Sequence, residues 1–111
     1  MTDLSTFDPN GIGNPNNNIF GLPFSKEDAR VIILPVPWEV TVSYGAGTAR
    51  APEHIFNASL QVDLFDLDFK DAWKQGFHML PCDKKVQLKS DYRRKEAELS
   101  LNYIAQGEAV S

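Results

Sequence analysis

Side chains able to do chemistry gather at a few places in this sequence, and each place suits a different chemistry. Asp66-Leu67-Asp68-Phe69-Lys70-Asp71 has the Asp-x-Asp-x-x-Asp spacing by which carboxylates converge on a hard cation. No histidine joins it at ligand spacing, and a solvated acidic loop is the reading we take. The loop from Pro37 to Gly47 carries Trp38, whose ring face attracts cations, and Glu39, which can pair with the same charge. In the other reading, Trp38 and Tyr44 pack the loop down and Glu39 is solvated. Gly45 and Gly47 supply backbone freedom rather than reactive groups. His54 and His78 have no ligand-spaced partner and read as structural. Cys82 has neither a CxxC partner nor a nearby histidine, so zinc binding and thiol catalysis are not indicated. A calcium loop starting at Asp8 fails because Ile12 stands where an oxygen ligand is needed.

These candidates need elements to position them. Arg30-Val31-Ile32-Ile33-Leu34-Pro35 is an unbroken, β-branched apolar run closed by proline, which predicts a strand buried on both faces of a parallel sheet. After the loop from Val36 to Arg50, Pro52 can open a helix through Leu60. That helix would lay Ile55, Phe56 and Leu60 against the sheet. Val62-Asp63-Leu64-Phe65 and Phe77-His78-Met79-Leu80 are short strand candidates. A last helix, capped by Ser90 or Asp91, would align Leu99 with Tyr103 one turn apart, with Ala97, Leu101 and Ile104 on its apolar side and a stop at Gly107. The strand that this helix should lead into is expected beyond Ser111.

Residues 1–18 are dense in Asn, Pro and Gly and predict an extended arm, while 19–111 read as part of one α/β domain. Ile19-Phe20-Gly21-Leu22-Pro23-Phe24 is the apolar patch that would dock the arm. With 111 residues, 42% of them hydrophobic, the chain has material for one small domain. A net charge of -4 offers no general attraction for a phosphate backbone, so nucleic acid is not an expected partner. No apolar run approaches the roughly 20 residues of a membrane span. One cysteine cannot form an internal disulfide, and the reading is a cytoplasmic protein. A small sheet with uncovered faces predicts marginal stability and self-association or a homo-oligomer.

Taken together, Ile33-Leu34-Pro35-Val36-Pro37-Trp38-Glu39 and Val42-Ser43-Tyr44-Gly45-Ala46-Gly47-Thr48-Ala49-Arg50-Ala51-Pro52-Glu53-His54-Ile55 resemble the opening segment of the ureohydrolases, the arginase, agmatinase and guanidine hydrolase family. In that family a first strand ends in a Gly-x-Pro turn, and a Gly-rich loop leads into a Pro-Glu-x-Ile helix start. The resemblance covers most of residues 14–107. Val36 departs from the family's Gly, and Phe56 stands where Arg is common.

The resemblance implies the N-terminal part of a three-layer α/β/α sandwich with a parallel sheet, incomplete in this chain. It implies hydrolysis of a guanidinium C–N bond, releasing urea, by an enzyme holding two manganese ions. Trp38 and Glu39, with Tyr44, Gly45 and Gly47, become candidates for meeting the small guanidino substrate. The family's Gly-Gly-Asp-His and Asp-Ala-His-x-Asp metal segments do not occur here, and the Asp66 segment departs from the family's third, Ser-x-Asp-x-Asp-x-x-Asp-Pro, with Leu64 for Ser and Ala72 for Pro. Neither manganese binding nor turnover is therefore expected of this chain alone. Alternatives from other classes stay open. One is a nucleotide or phosphate binder built on Gly45-Ala46-Gly47-Thr48, although Arg50 replaces the third glycine and about ten residues separate strand from glycines. Another is a non-catalytic interaction fragment.

Overall fold

In a computed structural model, which describes residues 2–42 and 45–107, the chain divides into two compact units. One comprises Met1–Pro35 with Glu53–Pro81, and the other Val36–Pro52 with Cys82–Ser111.

The first unit holds the sheet. β1 (Val31–Ile33) and β2 (Phe77–Met79) pair in parallel, with Val31 opposite Phe77, Ile32 opposite His78 and Ile33 opposite Met79. β-branched residues favour the pleated backbone of β1, and Leu80 N–H donating to the Ile33 carbonyl extends the ladder. Burial on both faces is not what the structure shows. Val31 is 38% and Ile32 44% exposed, because among the described residues β1 has one strand neighbour and its faces lack a full covering layer. Val62-Asp63-Leu64-Phe65 forms no strand. Its Asp63 carboxylate instead accepts from the Phe65 N–H, a local bond that competes with a ladder.

The apolar centre of this unit is Leu22, Phe24 and Trp73, flanked by Leu4, Phe7, Phe20, Ala29, Leu64 and Phe77. Phe7 meets Trp73 at 5.1 Å between ring centroids, so the Asn-rich leading residues contribute to the core. Asn18 is the polar counterpart. Its Oδ1 accepts from the Met79 N–H at 2.6 Å and the Ile19 N–H at 2.7 Å, and its Nδ2 donates to the Met79 carbonyl at 3.2 Å. One side-chain amide thereby serves the end of β2 as a further strand would. Gly76, at φ 87°, enters β2 where a Cβ would lie 3.0 Å from Ala29 Cα, so a side chain has no room.

α1 (Ala51–Ser59) carries Pro52 in its first turn, where the missing N–H costs nothing. Phe56 and Leu60 are half-buried, but Ile55 is exposed and does not share the expected apolar face. Ser59 is the buried residue at that end, its hydroxyl donating to the Phe56 carbonyl and accepting from the Phe20 N–H.

The second unit is built on α2 (Lys84–Ala105), which starts earlier than expected. Asp83 is the cap, accepting from the Lys85 N–H at 2.8 Å, while Ser90 lies two turns inside the helix. Sequence reasoning favoured Ser90 and Asp91 because the lysines before them blur the apolar period. Gly107 follows at φ 78° with its N–H on the Ile104 carbonyl, the stop that its freedom allows.

Candidate functional site

The loop beginning at Pro37 lies wholly in the second unit, and its described residues are held by hydrogen bonds rather than by a large apolar core. Pro37 and Ala49 are its buried apolar residues. Ser90 is fully buried; its Oγ accepts from the Glu39 N–H at 2.8 Å and donates to the Glu39 carbonyl at 3.2 Å. One turn along α2, Arg94 Nη1 donates to the carbonyls of Val40 at 3.0 Å and Val42 at 2.9 Å, and its Nε pairs with Glu98. These two side chains satisfy both backbone groups of Glu39 and two further carbonyls. The guanidinium fork is suited to this because its donors are fixed in one plane.

Glu39 closes the loop from the other end. Its Oε2 accepts from the Gly47 N–H at 2.8 Å and the Thr48 N–H at 3.2 Å, where the 3-10 turn Thr48–Arg50 runs on into α1. A carboxylate there is favoured both as a cap and by the helix dipole. Gly45 and Gly47 have φ of 67° and 130°, the region that lets the chain double back onto Glu39. Trp38 is 40% exposed. Of the sequence candidates, the structure thus brings Glu39 and Gly47 into direct contact and presents Trp38 and Gly45 on the same loop. Tyr44 lies outside the described residues.

Ser90 and Arg94 were missed as members of this region. Their spacing of four, which puts a small hydroxyl and a guanidinium on one helix face, was the available signal, and nothing in the sequence tied that face to residue 39.

The other candidates are engaged locally. Asp66 Oδ1 accepts from the Asp68 and Phe69 N–H groups, and Asp71, at φ 59°, pairs with Lys74 at 3.4 Å. Those carboxylates serve a turn. His78 Nδ1 donates to the Phe24 carbonyl at 2.7 Å, His54 is exposed, and Cys82 is a free, exposed thiol. Among the described residues no group of three or more His, Cys, Asp or Glu side chains could hold a metal ion, so the residues present do not fit a two-manganese centre. The Gly47 and Thr48 N–H groups, which a phosphate would need, already face the Glu39 carboxylate, a charge that would repel it. No helix among the described residues is long and apolar enough to cross a membrane.

Comparison with known proteins finds similarity to curated relatives named N(1)-aminopropylagmatine ureohydrolase. Two of them come from different strains of Thermus thermophilus. The first is 31% identical over 86 residues, which is 76% of this chain and 29% of that protein. The second is 40% identical over 83 residues, 73% of this chain and 28% of that protein. A Synechocystis protein of the same name is 40% identical over 42 residues, 38% of this chain and 14% of that protein. The chain therefore spans under a third of the length of the relatives it matches. No family model matches the chain, and no solved structure matches it.

Proposed function

Starting from a chain whose matched residues belong with the ureohydrolase family, we propose that it forms the N-terminal portion of an agmatinase- or arginase-like amidinohydrolase, one that hydrolyses a guanidinium C–N bond to release urea. The observation that carries this reading is the 40% identity over 83 residues. In this reading β1 and β2 are the first strands of a three-layer α/β/α sandwich, and residues 19–111 belong to that one domain. Two manganese ions are held by ligands outside these 111 residues, since the donor set here does not fit them. The isolated chain is then inactive toward guanidino compounds.

What this chain contributes is the loop beginning at Pro37. Trp38, partly exposed on that loop, is the ring that would meet the planar guanidinium. Glu39 is committed to the Gly47 and Thr48 amides, so its part is to hold the loop's path rather than to pair with substrate. Ser90 and Arg94 fix the same backbone from the helix side. Bonds from a helix and from the loop's own carboxylate hold the strand-end backbone in one conformation, and a prearranged surface binds without first ordering itself.

The test is a chimera in which the matched residues replace their counterparts in the Thermus thermophilus relative that is 40% identical. With manganese, urea release from N(1)-aminopropylagmatine or agmatine is expected of the chimera and not of the isolated chain. A folded, manganese-binding chimera that releases no urea contradicts the reading. Turnover by the 111-residue chain contradicts its inactivity.

A further inference from the structure

Among the asparagines of this chain, Asn10 alone is followed by glycine. Other amides in the leading residues are committed: Asn14 Oδ1 accepts from the Asn16 N–H at 2.9 Å, Asn17 Nδ2 donates to the Gly21 carbonyl at 3.0 Å, and Asn18 serves Met79. The Asn10 side-chain amide has no such partner among the described residues. Asn10 and Gly11 are exposed, and their turn rests on two local bonds. The Asn10 N–H donates to Asp8 Oδ1 at 3.0 Å, and the Gly11 N–H donates to the Asp8 carbonyl at 3.1 Å. A turn whose hydrogen bonds are all local and exposed opens readily, so the Gly11 nitrogen comes free without disturbing the core.

This pairing sets an electrophile beside a nucleophile. Once the Gly11 N–H gives its proton to hydroxide, the nitrogen attacks Asn10 Cγ. The Cγ–Nδ2 bond breaks, ammonia leaves with a proton returned by water, and a five-membered imide is closed. Water then opens the ring. Cleavage of the bond from the Gly11 nitrogen to Cγ leaves aspartate, whereas cleavage of its bond to the Asn10 main-chain carbonyl leaves isoaspartate, with the backbone running through Cβ and Cγ. The net reaction consumes water, releases ammonia and needs no oxidant or metal. Glycine favours it because no Cβ crowds the attacking nitrogen and the backbone adapts to the ring.

The chain is pinned on either side of this pair. Phe7 lies on Trp73, and Gly13 backs onto Leu60 so closely that a Cβ would not fit. An isoaspartate adds a backbone atom to the span between those anchors. Either product also adds a carboxylate where Asn10 shares a shallow cleft with Asp66, Lys70 and Asp71, two residues after Asp8. With three acids against one base, the new charge is unfavourable there. We propose that Asn10–Gly11 is a self-modifying site, where hydrolytic deamidation yields aspartate and isoaspartate and loosens the leading residues from Trp73. The inference does not depend on the hydrolase reading, and its chemistry lies within two adjacent residues.

Timed incubation of the full 111-residue chain at neutral and at mildly alkaline pH, read by peptide mapping and mass spectrometry, tests it. Asn10 is expected to show the amide-to-acid mass shift ahead of every other asparagine, localised by fragment ions. The shift should be faster at the higher pH and give two products of equal mass and different elution. Gly11→Ala should slow the conversion at least about tenfold. Gly11 does not use positive φ, so alanine keeps the turn. In step with conversion, nuclear Overhauser contacts between the Phe7 and Trp73 rings should weaken, and in Gly11→Ala kept for the same time they should persist. Asn10 left intact while a free peptide of residues 5–15 converts overturns the proposal, as does a rate that Gly11→Ala leaves unchanged. Rings that keep their contact in the fully converted chain overturn it too, because the leading residues have then not been loosened.

Discussion

The two units of this molecule are held by different physics. In the first, Leu22, Phe24 and Trp73 exclude water, and the polar groups near them, Asn18 and Ser59, serve backbone ends that the core would otherwise strand. In the second, little among the described residues is buried beyond Pro37, Ala49 and Ser90, and the loop is fixed by directed bonds from Ser90, Arg94 and Glu39. Apolar burial is non-directional and tolerates repacking, whereas hydrogen bonds fix where a backbone points. Under the proposed function, a loop that must hold one conformation is better served by the second.

The contrast can be broken most severely at Trp73. Trp73→Ala should remove about 3–5 kcal/mol and unfold the first unit, read as a collapsed urea melt. An unchanged melting midpoint would mean that the aromatic cluster is not what holds that unit. Asn18→Ala comes next. It strands the Met79 N–H and carbonyl, and about 2 kcal/mol should be lost along with amide protection at Met79.

In the second unit the expected effects are smaller in energy and more local in place. Ser90→Ala leaves the Glu39 N–H without its acceptor and should cost about 1–2 kcal/mol, with faster hydrogen exchange at Glu39. Arg94→Lys should loosen Val40 and Val42 as well, since a single ammonium does not reproduce the fork. Global unfolding by either change, instead of local loosening, would erase the distinction between the units.

The smallest effect concerns acid. The Thr2 hydroxyl, donating to Asp28 at 2.6 Å, holds the Asp28 carboxyl below its usual value of 3.8. A carboxyl depressed in the folded state stabilises above its unfolded pKa, and that contribution disappears as pH falls through the lower, folded value. Thr2→Ala should therefore move the Asp28 titration upward in a carboxyl-carbon NMR titration and lower stability slightly at about pH 7, the difference from wild type disappearing as pH falls through the lower, folded value.

Much of the layout was legible in the sequence. Val31-Ile32-Ile33 reads as a strand because β-branched residues concentrate there, Pro52 marks the start of α1, and Phe77-His78-Met79 was found as a strand. The parallel pairing of the two strands follows from the helix between them. Other features were not legible because they depend on partners far along the chain. The exposure of Val31 and Ile32 reflects the number of neighbouring strands, which a local pattern does not encode. Likewise, Asn18 serving Met79 and Ser90 serving Glu39 join residues 61 and 51 positions apart, with no periodicity to announce them. Glu39 illustrates the limit at the site: its residue type suited a cation, and its geometry assigns it to two amides.

The most direct measurement is steady-state urea release by the chimera carrying Trp38→Ala, compared with the unaltered chimera. If the clamped loop meets the substrate through that ring, KM for the guanidino substrate rises about tenfold while kcat stays within about twofold, the loss expected of one cation–π contact. Unchanged KM in a folded, active chimera would contradict the account.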